Sequence, residues 1–321
     1  MTTSYVPNHE INDCHFVKSN PMPGSFEKFH WTEQIKLLRE ACKWLGVSSG
    51  RAVQYERAIT EFWKNDPTTA NHVLAHSESF EIIELYELWE KEITRFIGLD
   101  EKIRSVFESG PLLREGENPK TSSNRPRNDA FVYILGGHLL RARLNVTAVD
   151  GIVAQGEQCH TAGDITIQWK TDSFDIQCKR PLKESMIEKR CNEAKKQILG
   201  SKVGPGIGIV AIDCSALIRP RGALVERDSP EDAEKVYGQI IERRVIPVVA
   251  KTFVPQILGS ILYTRGPAMI PTKTYQILSM SGRPFSEYQP ISVSTWLMVS
   301  NSKFPHTTYL KEIYAEMAGR F

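Results

Sequence analysis

Paired cysteine motifs are missing from this chain. Its six cysteines are scattered without any C-x-x-C spacing, and several fall in segments that read as buried. They are Cys14, Cys42, Cys159, Cys178, Cys191 and Cys214. The spacing argues against a zinc or thiol-redox site, and we expect reduced thiols in a cytoplasmic protein.

Long apolar runs and an excess of one charge sign are missing as well. No run approaches membrane-spanning length, and Met1 to Asn20 carries His, Asp, Asn and Pro where a signal peptide needs apolar residues. We therefore expect a soluble protein without a membrane partner. Lys and Arg number 40 against 38 acids, so nucleic-acid binding would have to come from a local basic cluster.

Familiar nucleotide-binding and hydrolase patterns do not occur either. Gly204 to Gly208 is rich in glycine, but these glycines precede an apolar strand instead of following one, and no Walker lysine is present. No Ser/His/Asp spacing typical of a hydrolase is found. The chemistry must therefore come from another part of the chain.

Changes of pattern along the chain predict four regions. Residues 1–30 read as an irregular arm, residues 31–113 as an all-α unit, residues 114–128 as a linker and residues 129–321 as an α/β domain. The linker is rich in Gly, Pro and Ser. Its basic residues could be solvated or could contact a phosphate backbone, and they are Lys120, Arg125 and Arg127.

The all-α unit is predicted from apolar stripes at helical spacing. We expect one helix from Trp31 to Gly46, a second from Ser48 or Ser49 to Trp63, a third start at Asp66-Pro67, and a long helix from Ser79 to Phe96. The acids of the long helix are expected on a solvated face. They are Glu81, Glu84, Glu87, Glu90 and Glu92. The unit reads either as a packing scaffold or as a module for a protein partner or a homodimer.

Asp164 to Lys179 is the stretch with the clearest chemical content. It reads as two β-strands joined by a short turn near Lys170, and both strands alternate polar with apolar residues. A hairpin would bring Asp164, near the start of the first strand, beside Gln177 and Lys179, near the end of the second. An acid, an amide and an ammonium group would then share one surface.

The elements around this hairpin have a definite order. A helix from Asp129 to Arg143 and a strand from Asn145 to Val153 come before it, and a helix from Leu182 to Leu199 and a strand from Ile207 to Cys214 follow it. The order is αβββαβ. Farther on, Ser229-Pro230 opens a helix that runs towards Leu258 with interruptions at Pro247 and Pro255. Strands are expected over residues 260–268, 275–280 and 291–299, and a last helix over 305–317.

The Gly-Asp pair, the Gln-x-Lys about a dozen residues later and the αβββαβ order together resemble the PD-(D/E)xK, or restriction-endonuclease-like, nuclease superfamily. The resemblance implies a mixed central sheet flanked by helices. It implies that Asp164 binds a Mg²⁺ or Mn²⁺ ion and that Lys179 is the catalytic lysine. Gln177 stands where the family usually has Glu or Asp, so one ligand charge is missing. The Cys178 carbonyl would complete the metal shell, and Asp175 or Glu157 could add charge.

The resemblance also implies residues that contact nucleic acid. They lie at the end of the second strand and on the basic helix after it, and they are Arg180, Lys183, Arg190 and Gln197, with Glu193 as a further residue that could reach the site. Family members often have an acid on the first helix, but the predicted interior of this helix has none, and His138 is its nearest polar candidate.

Three functions follow from these observations. The first is a magnesium- or manganese-dependent endonuclease acting on DNA, in either defence or repair. The second is a nuclease-like fold that has lost catalysis and binds nucleic acid or protein. The third is an RNase or toxin-like effector, which differs from the first function in its substrate. The neutral Gln177 and the missing helix acid motivate the second function.

Overall fold

The computed structural model describes residues 16–17, 31–65, 70–117, 124–158, 163–200, 205–218, 225–278, 284–304 and 308–318. They form a mixed α/β fold with a helical N-terminal region, as predicted. Most of the predicted arm lies outside the described residues. Its described part is a short strand, β1 (Phe16–Val17), which pairs with the last strand of the sheet. None of the described helices has the length and apolar character needed to cross a membrane.

Four helices form the N-terminal region: α1 (Trp31–Leu45), α2 (Arg51–Asn65), α3 (Ala70–Trp89) and α4 (Leu99–Glu108). The stripe predicted for α1 is buried, and α1 ends before Gly46, whose φ of 66° suits glycine. The predicted long helix has wrong limits. α3 already begins at Ala70, and it ends at Trp89, because a turn and a 3₁₀ segment precede Phe96. The predicted start at Asp66-Pro67 lies outside the described residues.

The solvated acidic face predicted on the long helix from Ser79 to Phe96 is wrong for two of its five acids. Glu87 and Glu90 are exposed and Glu92 is half-buried, but Glu81 and Glu84 are only 3% and 9% exposed. Arginines from other elements pair with the two buried acids, and these arginines are Arg51, Arg114, Arg127 and Arg265. The pattern of one helix cannot reveal such partners, because they lie far away in the sequence.

The next helix, α5 (Arg125–Arg141), begins one turn before the predicted start at Asp129, with Pro126 in its first turn. Arg127 is therefore a helical residue, and it is 1% exposed and paired with acids, so it does not lie free for a phosphate backbone. Arg125 is exposed, and Lys120 lies outside the described residues. One hydrophobic core continues from the N-terminal helices through α5 to the sheet.

The remaining strands are β2 (Asn145–Val149), β3 (Ile152–Val153), β4 (Ile165–Trp169), β5 (Asp172–Lys179), β6 (Gly208–Asp213), β7 (Val225–Glu226), β8 (Ile257–Leu278) and β9 (Pro284–Ser300). The described strands form one mixed sheet in the order β1-β9-β8-β6-β5-β4-β2-β3, with β7 beside β8. β6 runs parallel to both β5 and β8, and β4 runs antiparallel to β5 and β2. Helix α6 (Ile187–Gly200) connects β5 with β6.

The αβββαβ order is confirmed as α5, then the antiparallel strands β2, β4 and β5, then α6 and β6. The predicted single strand from Asn145 to Val153 is wrong. It is a hairpin of β2 and β3 with a tight turn at Asp150-Gly151, whose φ values of 49° and 78° are those that a two-residue hairpin turn requires.

The C-terminal part contains α7 (Pro230–Arg244), α8 (Ile246–Lys251) and α9 (Thr308–Ala318). The Ser229 side chain caps α7 as predicted, but helix does not continue to Leu258, which lies in β8. The strands predicted over residues 260–268 and 275–280 are one strand, because β8 pairs with β9 over most of its length. The four described cysteines, Cys42, Cys178, Cys191 and Cys214, are free and buried, while Cys14 and Cys159 lie outside the described residues.

Candidate active site

The hairpin of β4 and β5 sets the geometry of the candidate site. Ile165 pairs with Ile176, and the two-residue turn at Lys170-Thr171 holds this register. Asp164, just before β4, therefore lies opposite the last residues of β5. The apolar residues of both strands are buried in the core, and the polar groups of the site lie where β4 begins and β5 ends.

Asp164, Gln177 and Lys179 come together as the sequence predicts. Asp164 Oδ2 accepts a hydrogen bond of 2.7 Å from the backbone N–H of Cys178 and lies 3.7 Å from Lys179 Nζ. Lys179 Nζ also donates to Gln177 Oε1 at 3.2 Å. Gln177 is 2% exposed, whereas the Asp164 side chain is 33% exposed and can meet a ligand.

The pKa of Asp164 is raised above its usual range. Burial is the main cause, and it outweighs the Lys179 ammonium and the Cys178 N–H, both of which favour the charged carboxylate. The negative charge of Asp150 raises the pKa further. The charged form of the Asp164 carboxylate is therefore disfavoured in the folded protein, and a bound cation would stabilise it.

Asp150 is a site residue that the sequence analysis missed. It occupies the β2–β3 turn, and its backbone N–H donates to the Asp164 carbonyl at 2.6 Å. Its carboxylate accepts hydrogen bonds from Lys102 Nζ at 2.7 Å and from the Tyr133 hydroxyl at 2.9 Å. The Asp-Gly pair is a typical hairpin turn, so the sequence contained a signal for this position.

Asp129 is the second missed carboxylate. Because α5 begins at Arg125, Asp129 lies inside the helix, one turn before Tyr133 and on the same face. Burial raises the pKa of Asp129, and the charges of Asp150 and Asp164 raise it further, so the three carboxylates are within electrostatic range of one another. The first helix therefore does bring an acid towards the site, contrary to the prediction. Pro126 was the signal for the earlier helix start.

The two carboxylates predicted as additional ligands take other positions. Asp175 is fully buried on β5, where it accepts a hydrogen bond of 3.0 Å from Thr166 Oγ1, and burial raises its pKa. Glu157 is half-buried in the loop after β3. In the described structure no hydrogen bond or ion pair joins either carboxylate to Asp164 or Lys179.

His138 on α5 belongs to a different cluster. Its Nε2 lies 2.7 Å from Glu84 Oε1, and its ring packs edge-on against Trp296. The second oxygen of Glu84 accepts a hydrogen bond of 2.5 Å from Arg265. His138 is therefore a buried, paired residue on the side of α5 that faces α3 and the long strands.

A cleft of about 450 Å³ opens beside Lys179. The N-terminal part of α5, the end of β5 and one face of α6 form its walls. Of the predicted nucleic-acid contacts, Arg180, Arg190 and Gln197 line it together with Lys196, whereas Lys183 is exposed outside its lining. The predicted basic helix and the predicted catalytic lysine thus share one concave surface.

Arg180 lines this cleft but its guanidinium is already paired. Nε donates to Asp213 Oδ2 at 3.0 Å, Nη2 donates to Glu117 Oε1 at 2.9 Å, and Nη1 contacts the other Glu117 oxygen. The Arg180 side chain is 1% exposed. The paired guanidinium holds the backbone next to Lys179 in place and does not bind a phosphate group. Asp213, the last residue of β6, is thus a buried partner of this arginine.

Arg180 is part of a buried ionic network behind the site. The network alternates four arginines with four acids, and its members are Arg51, Arg114, Arg127, Arg180, Glu78, Glu81, Glu117 and Asp213. Burial alone would raise the pKa of Glu81, but the arginines around it, Arg51 first, lower it to about 2. Glu81 therefore stays charged at neutral pH, and the network connects α2, α3, α5, β5 and β6.

Two further side-chain oxygen groups belong to the site. The Gln177 amide oxygen accepts a hydrogen bond from Lys179 Nζ, and the Asp150 carboxylate interacts electrostatically with Asp164. Among the described residues no three His, Cys, Asp or Glu side chains form a group that could hold a metal ion by themselves. A hard cation at this place would need amide or main-chain oxygens and water in addition to Asp164.

No protein-family model matches the chain, and comparisons with curated proteins and with solved structures give no significant match either.

Proposed function

We infer that the protein is a metal-dependent endonuclease that hydrolyses phosphodiester bonds in DNA, as the resemblance to the PD-(D/E)xK nucleases implies. The observation that carries this proposal is the meeting of Asp164, Gln177 and Lys179 at the end of two paired strands, with 3.7 Å and 3.2 Å between Lys179 Nζ and the two oxygens. An isolated three-residue pattern would be weak support. Here the three side chains share one end of the β4–β5 hairpin, and Lys179 also lines the cleft beside α6.

The order and direction of the elements give further support. A helix, three antiparallel strands, a second helix and a strand parallel to β5 surround these residues, which is the order that the resemblance implies. Asp129 on the first helix adds an acid within electrostatic range of Asp164. Asp129 supplies the first-helix acid that the sequence pattern lacked. The neutral Gln177 remains a departure from the family pattern.

The donor set suits Mg²⁺ or Mn²⁺, because these ions prefer oxygen ligands and the side-chain donors beside Asp164 are oxygens. Asp164, the Gln177 amide oxygen and the Cys178 carbonyl would hold the ion. When bound, such an ion activates water and offsets charge on the phosphate.

The side chains of the site would supply the rest of the chemistry. The Lys179 ammonium is held between Asp164 and Gln177. Its Nζ would orient the attacking water or stabilise negative charge on the phosphate. The hydrogen bond from the Cys178 N–H fixes the Asp164 carboxylate for this role.

Cleavage assays test the proposal directly. Purified protein would be incubated with supercoiled, linear and single-stranded DNA and with RNA, in Mg²⁺, Mn²⁺ or EDTA. We expect metal-dependent cutting of DNA that Asp164→Ala and Lys179→Ala abolish, while Lys43→Ala, which removes an exposed lysine of α1, leaves it largely intact. Circular dichroism would confirm that all variants fold. Equal cutting by the wild type and both site variants, or no cutting in any metal, would refute the proposal.

The neutral Gln177 favours a second candidate function, a nuclease-like fold that binds nucleic acid or protein without catalysis. A neutral amide supplies one charge less than the acid usual at this position, which weakens cation binding. Nucleic-acid binding that Asp164→Ala leaves unchanged, with no turnover in any metal, would support this candidate.

A further inference from the structure

The cleft beside Lys179 has two kinds of walls. Asn124, just before α5, and Asn128 of α5 present amide groups on one side, and Arg190, Lys196 and Gln197 of α6 present cations and a third amide on the other. Glu193 of α6 also lines the cleft, and Arg190 donates to it at 2.7 Å. Lys196 is exposed, and no described carboxylate forms an ion pair with it. The outer wall therefore offers positive charge to an anion that enters from solvent.

One residue that lines the cleft has a polar atom without a partner. Asn128 Oδ1 is buried, and no described residue donates a hydrogen bond to it. An unsatisfied buried acceptor is unfavourable, so a rotation of the Asn128 amide that brings this oxygen to an N–H or O–H donor of a ligand would be favourable. An anion alone has no such donor. The ligand of this cleft should therefore combine negative charge with hydrogen-bond donors.

The floor of the cleft is apolar. Phe131 and Cys178 line it, and both side chains are buried. The Phe131 ring is held in place because it stacks on Tyr263, with 5.7 Å between ring centroids and 17° between ring planes. A flat apolar group with polar edges, such as a nucleobase, matches this combination of floor and walls.

The volume limits how the nucleobase can enter. A cleft of about 450 Å³ is the size of a site for one small molecule. In a duplex each base is stacked and shows only its edges in the grooves, so it cannot enter a concave site. An unpaired strand can turn a base out of its stack, as strands in single-strand binding sites do.

We propose that this cleft binds one nucleotide of an unpaired DNA strand, next to the phosphodiester bond at Asp164 and Lys179. Lys196 and Arg190 contact phosphate groups, Asn128 accepts a hydrogen bond from the base, and Phe131 forms the floor beneath it. The choice of a nucleic-acid ligand rests on the proposed function. The substrate class is therefore single-stranded DNA, or DNA with an unpaired end or flap.

Binding without cleavage tests this proposal. The full-length protein in EDTA would be titrated into a short fluorescent single-stranded oligonucleotide and, separately, into its blunt duplex. Lys196→Glu would be compared with Lys189→Glu, which makes the same charge change at an exposed position of α6 outside the cleft. Asn128→Leu removes the buried acceptor while keeping a side chain of similar size.

We expect the single strand to bind more tightly than the duplex. Lys196→Glu should weaken single-strand binding roughly tenfold and lower its salt dependence, whereas Lys189→Glu should change it by less than about twofold. Asn128→Leu should weaken binding without changing the salt dependence.

Equal or tighter binding of the duplex would overturn the proposal, and so would equal losses in Lys196→Glu and Lys189→Glu, since both results would indicate general electrostatic attraction. Neither result bears on cleavage, because EDTA prevents it. Conversely, tight single-strand binding without turnover in Mg²⁺ or Mn²⁺ would refute the catalytic proposal and leave the binding site intact.

Discussion

Arg180 and Glu117 form a bidentate ion pair directly beside Lys179, the candidate catalytic lysine. Arg180 Nη2 lies 2.9 Å from Glu117 Oε1, and Nη1 contacts the second carboxylate oxygen. Both side chains are almost fully buried. Glu117 comes from the segment between the N-terminal helices and α5, so this pair connects that segment to the end of β5.

Loss of this pair should destabilise the protein strongly. Glu117→Gln removes a carboxylate that pairs with two buried arginines, Arg180 and Arg127, and we expect a loss of about 3 to 5 kcal/mol in the free energy of unfolding. Urea denaturation would measure it. The control is Glu184→Gln, because the ion pair of Glu184 with Arg244 is half-exposed and should contribute less than about 1 kcal/mol. Similar losses in both variants would contradict a special role for the buried pair.

A carboxylate at position 177 should strengthen cation binding. Gln177→Glu restores the charge usual in the nuclease family beside Asp164, and Lys179 Nζ, now 3.2 Å from the amide oxygen, can pair with it. We expect affinity for Mn²⁺ to rise by about tenfold or more, because ligand charge sets the affinity of oxygen sites. Titration calorimetry would measure it. Gln177→Leu, which removes the oxygen donor, should lower it, and unchanged affinity in both variants would exclude residue 177 from the metal shell.

Asp150 should affect the pH range of activity. Its charge adds to the effect of burial in raising the pKa of Asp164, so Asp150→Asn should let Asp164 ionise at lower pH. The acid limb of the pH profile of kcat/KM for DNA cleavage should move to lower pH. Asp228→Asn, at an exposed residue before α7, serves as control and should not move it. An acid limb that moves to higher pH in Asp150→Asn would contradict the electrostatic coupling.

His76 should make the fold sensitive to acid. Burial lowers its pKa from 6.5 to about 4, so the folded state holds the neutral ring while the unfolded chain binds a proton. The contribution of neutral His76 to the free energy of unfolding is therefore fully present above pH ~6.5. It is lost as the pH decreases towards 4, and the loss is on the order of 3 kcal/mol. Urea denaturation at several pH values would measure the slope. His76→Leu should flatten it in this window, and an unchanged slope would assign the acid sensitivity to other groups.

Local patterns predicted the hairpin of the candidate site well. Alternating residues around Asp164 and Gln177 gave both strands, and the register follows from burying Ile165 and Ile176 on one face. Where the patterns were ambiguous, the predicted limits of the helices were wrong. The start of α5 was placed one turn too late, at Asp129, so Asp129 was not counted among the residues of the helix interior and was not considered for the site.

The sequence by itself determined the mixed α/β class, the αβββαβ order and the group of Asp164, Gln177 and Lys179, because these depend on periodicity and on neighbours in one hairpin. Only the tertiary structure decided the roles of Glu81, Glu84 and Arg180. Each of them could have been a solvated charge, but each is buried against partners on distant elements. A charged side chain is buried only when such partners surround it, and the folding of the whole chain, not the local pattern, brings them together.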